Sequence, residues 1–219
     1  MIGQARIELA KPVTDKTAYR IRRRSDPRGK PAKYRATYTL VDEQAQKTVV
    51  QAYQIGRAVF GRMTLVEPRG RQWTLQPNRK VLPTRWLLSD EQERLAFQFD
   101  QKVLGKLVNP LFKTVLAILD AQDRELMQLV NLHSKKAAFV LGLEHGKYAL
   151  VRDQSALAEL ATLPREKPAA RKGLLGSFKR FMASSDRALI SVSDRHPLPP
   201  PAALAMYLLY EEITDTSGG

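Results

Sequence analysis

Nine consecutive apolar residues, Ala202 to Tyr210, constrain this chain more than any other feature of it. Read as a helix, the run has no polar face, and a helix without one must lie inside a core. The prolines ahead of it, Pro199, Pro200 and Pro201, suit a first helical turn, where a missing N–H costs nothing. A bilayer takes about 20 residues to cross, so the run is too short to span one. The rest of the chain must therefore build a wall around this helix. Leu204, Met206, Leu208, Leu209 and Ile213 are the side chains it offers to the common core.

The material for such a wall lies between Tyr34 and Val151, where apolar residues recur with period two, as on a strand with one buried face. Tyr34, Ala36, Tyr38 and Leu40 share one face; Leu95, Phe97 and Phe99 share another, opposite Arg94, Ala96, Gln98 and Asp100. Phe139, Leu141 and Leu143 alternate in the same way. A repeat of the form Leu/Ile-x-Asp-x-Gln punctuates these runs at Leu40 to Gln44, Leu88 to Gln92 and Ile118 to Gln122, and new apolar segments follow at Val49, Leu95 and Leu126. Aspartate favours turns because its side chain bonds to nearby backbone, so the repeat predicts three hairpins. Glu144-His145-Gly146 predicts a fourth turn, and Ala188 to Val192 a further strand. Gln154 to Thr162, with Leu157, Leu160 and Ala161, reads as a short helix.

A sheet made of hairpins has two edges to hide, and closing it into a barrel removes both. The expected fold is mainly β with a few helices (α+β): antiparallel hairpins closing into a barrel around a buried hydrophobic C-terminal helix. Residues 1–219 are expected to form one domain, with a basic N-terminal segment, 1–33, and a basic amphipathic insertion, 164–187, as subregions.

Charge is concentrated in those subregions. Of the formal +14, residues 1–35 contribute eleven Lys/Arg against three Asp/Glu, and residues 164–187 seven against two. Such a field attracts nucleic acid, anionic lipid or an acidic protein without choosing among them. There is no cysteine, so no disulfide or thiolate framework can exist, which suits a reducing compartment. The first residues contain no apolar stretch of signal-peptide length, and the expected location is the cytoplasm, with the inner membrane surface as a peripheral site.

Little in the sequence suggests catalysis. His133, His145 and His196 stand in unlike contexts with no ligand spacing, and no phosphate loop, dinucleotide fingerprint or nucleophile elbow is present. The Asp turns lack the spaced oxygens and glycine of a calcium loop. No catalytic residue, metal or cofactor is assigned.

Two basic constellations carry the functional expectation. Arg20, Arg22, Arg23, Arg24 and Arg28, with Lys30 and Lys33, surround a predicted turn at Asp26 to Gly29. Planar guanidinium forks suit phosphate, and a loop lets several converge on one group. In the second, residues 171–182, Leu174, Leu175, Phe178 and Phe181 fall at helical spacing beside Lys172, Lys179 and Arg180. Apolar residues opposed to basic ones suit a membrane interface. The expected partner is an anionic phospholipid or another polyanion. Nucleic acid is the alternative, weakened because residues 20–35 offer only Tyr34 for base stacking; a protein-interaction scaffold is the third reading.

Hairpins such as Tyr38-Thr39-Leu40-Val41-Asp42 and Trp86-Leu87-Leu88-Ser89-Asp90, the stretch Val115 to Leu129, and the terminal apolar helix Ala202 to Ile213 together resemble the tubby C-terminal-like superfamily. That group includes tubby domains, LURP-one-related proteins and phospholipid scramblases. The resemblance spans about residues 34–213 and is one of pattern. It implies a closed barrel around a central C-terminal helix and, from the tubby branch, phosphoinositide binding through basic residues. A scramblase-type acidic calcium loop is absent from this sequence.

Overall fold

The computed structural model describes residues 16–25, 36–54, 62–79, 84–101, 113–132, 148–152, 155–163, 185–193 and 198–216. Twelve strands and one helix are found among them. The strands are β1 (Lys16–Ser25), β2 (Ala36–Asp42), β3 (Lys47–Gln54), β4 (Met63–Val66), β5 (Gln72–Pro77) and β6 (Arg85–Asp90). Next come β7 (Leu95–Asp100), β8 (Lys113–Asp120), β9 (Glu125–Asn131), β10 (Tyr148–Arg152), β11 (Ser155–Thr162) and β12 (Ser185–Ser193). The helix, α1, is Pro200–Thr216.

Each strand pairs antiparallel with its neighbours in sequence, and β12 returns to pair with β1, which closes the barrel. Closure leaves none of the twelve strands at an edge. An eight-stranded barrel is just filled by its own side chains, so twelve strands enclose a wider space that needs an occupant. α1 supplies it. Residues 201–211 are all buried, and the inner wall around them includes Ile21, Leu40, Val50, Leu65, Leu75, Leu88, Phe99, Leu116, Leu129, Leu160 and Ile190. Period-two burial is clean where one face meets the helix and the other meets water, as in β6, where Trp86, Leu88 and Asp90 alternate with half-buried residues.

The three predicted Asp hairpins form as read, joining β2 to β3, β6 to β7 and β8 to β9. In the second, Asp90 Oδ1 accepts from the Gln92 and Arg94 amides at 3.0 and 2.9 Å, and Oδ2 accepts from Arg94 Nε at 2.8 Å. Asp120 does the same for Gln122 and Arg124. These carboxylates are occupied in closing their own turns.

Some expectations are corrected. The segment expected as a helix from Gln154 to Thr162 is strand β11. Ala158 and Leu160 face the helix while Leu157 is buried too, and burial on both faces erases the alternation that marks a strand. Similarly, Val130, Leu132, Ala149 and Val151 form a small buried cluster apart from the main core, on β9, β10 and just beyond β9. Gln98, expected on a solvent face, is buried: its Nε2 donates to the Asp120 carbonyl at 3.2 Å and to Asp123 Oδ1 at 2.9 Å. The strand read through Phe139 to Leu143, the turn at Glu144 to Gly146 and the amphipathic stretch 171–182 lie outside the described residues.

Candidate anion-binding end of the barrel

Because every pairing is antiparallel, the connections alternate between two ends. One end carries the short hairpin turns at 43–46, 67–71, 91–94, 121–124 and 153–154. The other carries the longer connections at 26–35, 55–62, 78–84, 101–112, 132–147 and 163–184. In sequence the longer connections hold 19 Lys/Arg against three Asp/Glu, whereas the hairpin turns hold four against six. Closure adds a second consequence. β1 lies between β2 and β12, so the connection from β1 to β2, which contains Arg28, Lys30 and Lys33 of the first constellation, and the connection from β11 to β12, which contains the second, are anchored on neighbouring strands.

The arginine cluster read around the 26–29 turn is divided by strand geometry. Arg20 and Arg22 share the outer face of β1. Arg20 is held by Glu43 through two parallel bonds of 2.7 and 2.8 Å and by Asp186 at 2.5 Å; Arg22 Nε meets the other Asp186 oxygen at 3.0 Å. The bond to Arg20 leads among the causes that hold the Glu43 carboxyl below its usual range. Burial opposes ionisation of Asp186, but its bonds to Arg20 and Arg22 outweigh this and lower its pKa as well. These two arginines tie β1 to β12 and to the turn after β2. Arg24 is exposed near the end of β1. Arg28, Lys172, Lys179, Arg180, Leu174, Leu175, Phe178 and Phe181 lie outside the described residues.

Arg23 follows the parity of Ile21 and turns to the barrel interior at the long-connection end. It pairs across the ladder with Tyr38, and its guanidinium carbon stands 5.6 Å from the Tyr38 ring centre. Opposite, the β1–β12 register slips: Ile21 pairs with Ala188, but Arg22 pairs with Asp186. A bulge of this kind re-aims a side chain. Arg187, left between the paired residues, acts on both Tyr38 and Tyr207, favouring their ionised forms. Burial above all, and then the charge of Glu211, keep both hydroxyls protonated far above the usual tyrosine range, and Tyr38 donates a hydrogen bond to Glu211. Tyr148 meets Tyr210 edge to face at 4.5 Å between ring centres.

This mouth thus gathers Arg23, Tyr38, Tyr148 and Arg187 from the wall and Tyr207, Tyr210 and Glu211 from α1. Of these seven, the sequence marked only Arg23 as functional. Glu211, the first charged residue after the apolar run, was the available signal; the bulge that brings in Arg187 leaves none.

No family model matches this chain, and no curated protein does. Among solved structures, one from Arabidopsis thaliana is similar over 91% of this chain and 92% of its own, with 7% identity and a TM-score of 0.48.

Proposed function

We propose that this protein is a non-catalytic binding module of the tubby-like kind that sits on the cytoplasmic surface of a membrane and takes anionic phospholipid headgroups at the long-connection end of its barrel. The observation that carries the reading is topological: β1 lies between β2 and β12, so the two most basic connections leave from neighbouring strands at one end. Guanidinium and ammonium groups gathered there attract an anionic leaflet with about 1 kcal/mol per basic residue near the surface. The apolar side chains of 171–182 add a part that salt does not screen. The proposed attachment is peripheral; among the described residues no helix is long and apolar enough to cross a membrane. The barrel around a C-terminal helix is also the arrangement that the tubby-like resemblance implies, and phosphoinositide binding is the chemistry of its tubby branch.

Co-sedimentation tests this with vesicles of phosphatidylcholine alone or mixed with phosphatidylserine, at low and high salt. The expected result is binding that requires phosphatidylserine, weakens with salt and keeps a salt-resistant part that Phe178→Ala/Phe181→Ala removes. Absence of binding to either vesicle overturns the reading. Retention on nucleic acid instead, with a steep salt slope, replaces it with the nucleic-acid alternative.

A further inference from the structure

The last turn of α1 departs from what a helix favours. A helix C-terminus carries partial negative charge, which suits Lys or Arg. No basic residue stands in the last turn of α1; Asp215 does, with Glu212 and Glu211 just before it. Glu211 and Asp215 are four positions apart and Glu212 and Asp215 three, so they are like-charged neighbours on the helix, which costs further stability. Three carboxylates so placed need positive charge from elsewhere. The topology brings it. Ser193 at the end of β12 pairs with Lys16 at the start of β1, so the chain enters α1 from the hairpin end. From Pro200 the helix rises about 17 Å to Glu211, which accepts from Tyr38 at the opposite mouth, and runs about 7 Å further to Thr216. Glu211 is buried there, and Arg23 and Arg187 act on the same tyrosine. The acidic turns of α1 therefore stand at the end of the barrel whose connections hold 19 Lys/Arg against three Asp/Glu.

We infer that the acidic end of α1 is an autoinhibitory counter-charge: it occupies the basic end of the barrel while no partner is bound, and an anionic partner must outcompete it to dock. The inference rests on the anionic-partner reading above and adds its regulation. Glu211 is the buried root of the contact, and Glu212 and Asp215 extend it along the backbone of α1. Because the competitor belongs to the same chain, dilution does not remove it, whereas salt screens it and a denser array of negative charge overcomes it. A sparsely anionic surface is thereby refused and a densely anionic one accepted.

The test compares the full chain with Glu212→Gln/Asp215→Asn, which leaves buried Glu211 intact. Glu91→Gln/Glu93→Gln, exposed at the hairpin end, is a control of equal charge. The melting temperature at low salt gives a sign. If basic residues hold the carboxylates, removing them lowers it and high salt erases the difference; if the carboxylates only oppose the helix dipole and one another, removing them raises it. A fall is expected, and a rise or no change overturns the counter-charge. Binding is read on phosphatidylcholine vesicles with a small or a large share of phosphatidylserine, and on heparin as a soluble polyanion. Where phosphatidylserine is sparse, Glu212→Gln/Asp215→Asn is expected to bind at least about fivefold more tightly than the unaltered chain, the effect of one charge at the leaflet. The hairpin control is expected to change binding less than about twofold. Equal tightening in both variants assigns the effect to net charge and overturns the inhibition. Vesicle binding that neither variant improves overturns it too and leaves the membrane reading standing. Tightened heparin binding without any vesicle binding does the reverse, and no binding to vesicles or heparin overturns both.

Discussion

A single carboxylate organises each of two matching turns. Asp90 and Asp120 accept two backbone amides and an arginine Nε apiece, and the residues that complete the reversal, Glu93 and Asp123, take φ values of 59° and 64°, left-handed conformations that cost a side-chain-bearing residue energy. Asp120→Ala removes three bonds from one turn and leaves that backbone unsupported, so the melting temperature is expected to fall by about 2–4 °C, while Asp120→Asn, which still accepts, loses less. A thermal melt followed by circular dichroism reads both. The same residues set an acid limit. The bonds from Arg94 hold Asp90 low; burial opposes ionisation of Asp120, but the Arg124 bonds prevail; Glu43 and Asp186 are lowered by their arginines. With folded values below the unfolded ones of about 3.9 for Asp and 4.3 for Glu, the unfolded chain takes up protons first as pH falls. The stability from these groups is therefore complete above about pH 5 and is lost as pH drops through the folded values. Denaturation curves across that range are expected to show the decline, and Glu43→Gln/Asp186→Asn to flatten it. The turn role of these aspartates was legible in the sequence because the local chemistry of aspartate suffices; the pairing of Arg20 with Asp186, 166 positions away, was not, because only barrel closure brings them together.

At the scale of elements, α1 is the part on which the others depend. Its residues 201–211 are buried, and they face the wall on every side, so the barrel has no other occupant for its interior among the described residues. Ending the chain at Pro201 is expected to abolish cooperative unfolding, read as loss of a sigmoidal melt. Leu204→Ala, at a fully buried position, is expected to cost about 2–5 kcal/mol by urea denaturation. An unchanged midpoint in either variant contradicts the buried helix. This element could be read in advance because a short all-apolar run after prolines has one stable environment. β1 and β11 were harder for opposite reasons. In β1 the alternation of Tyr19, Ile21 and Arg23 is masked by three successive arginines, one of them inward-facing; in β11 both faces are covered, and its leucines and alanines fit a helical period equally well. The short pair β4 and β5 shows only two buried apolar residues per strand, Met63 and Leu65 against Trp73 and Leu75, too few to establish a period.

For the molecule as a whole, an up-and-down barrel with an even number of strands sorts its connections by length and sign. The hairpin turns and the long connections are separated by the length of the strands, and a seven-residue strand such as β2 spans about 23 Å before tilt. The Debye length at physiological salt is about 8 Å, so charges at one end scarcely feel a surface docked at the other. Total charge and local charge therefore make different forecasts. If the net +14 alone drew the protein to a membrane, neutralising any two basic residues would have the same effect. If the long-connection end docks, position decides. Lys135→Gln/Lys136→Gln, in the connection from β9 to β10, is expected to weaken binding to phosphatidylserine vesicles by about 2 kcal/mol, roughly 30-fold. Lys47→Gln/Arg69→Gln, exposed residues at the hairpin end, removes the same charge and is expected to change binding less than about twofold, since that end stands more than two Debye lengths from the surface. Equal losses in the two variants would mean that the barrel meets the membrane without a preferred end, and the topological argument for the site would fall with that result.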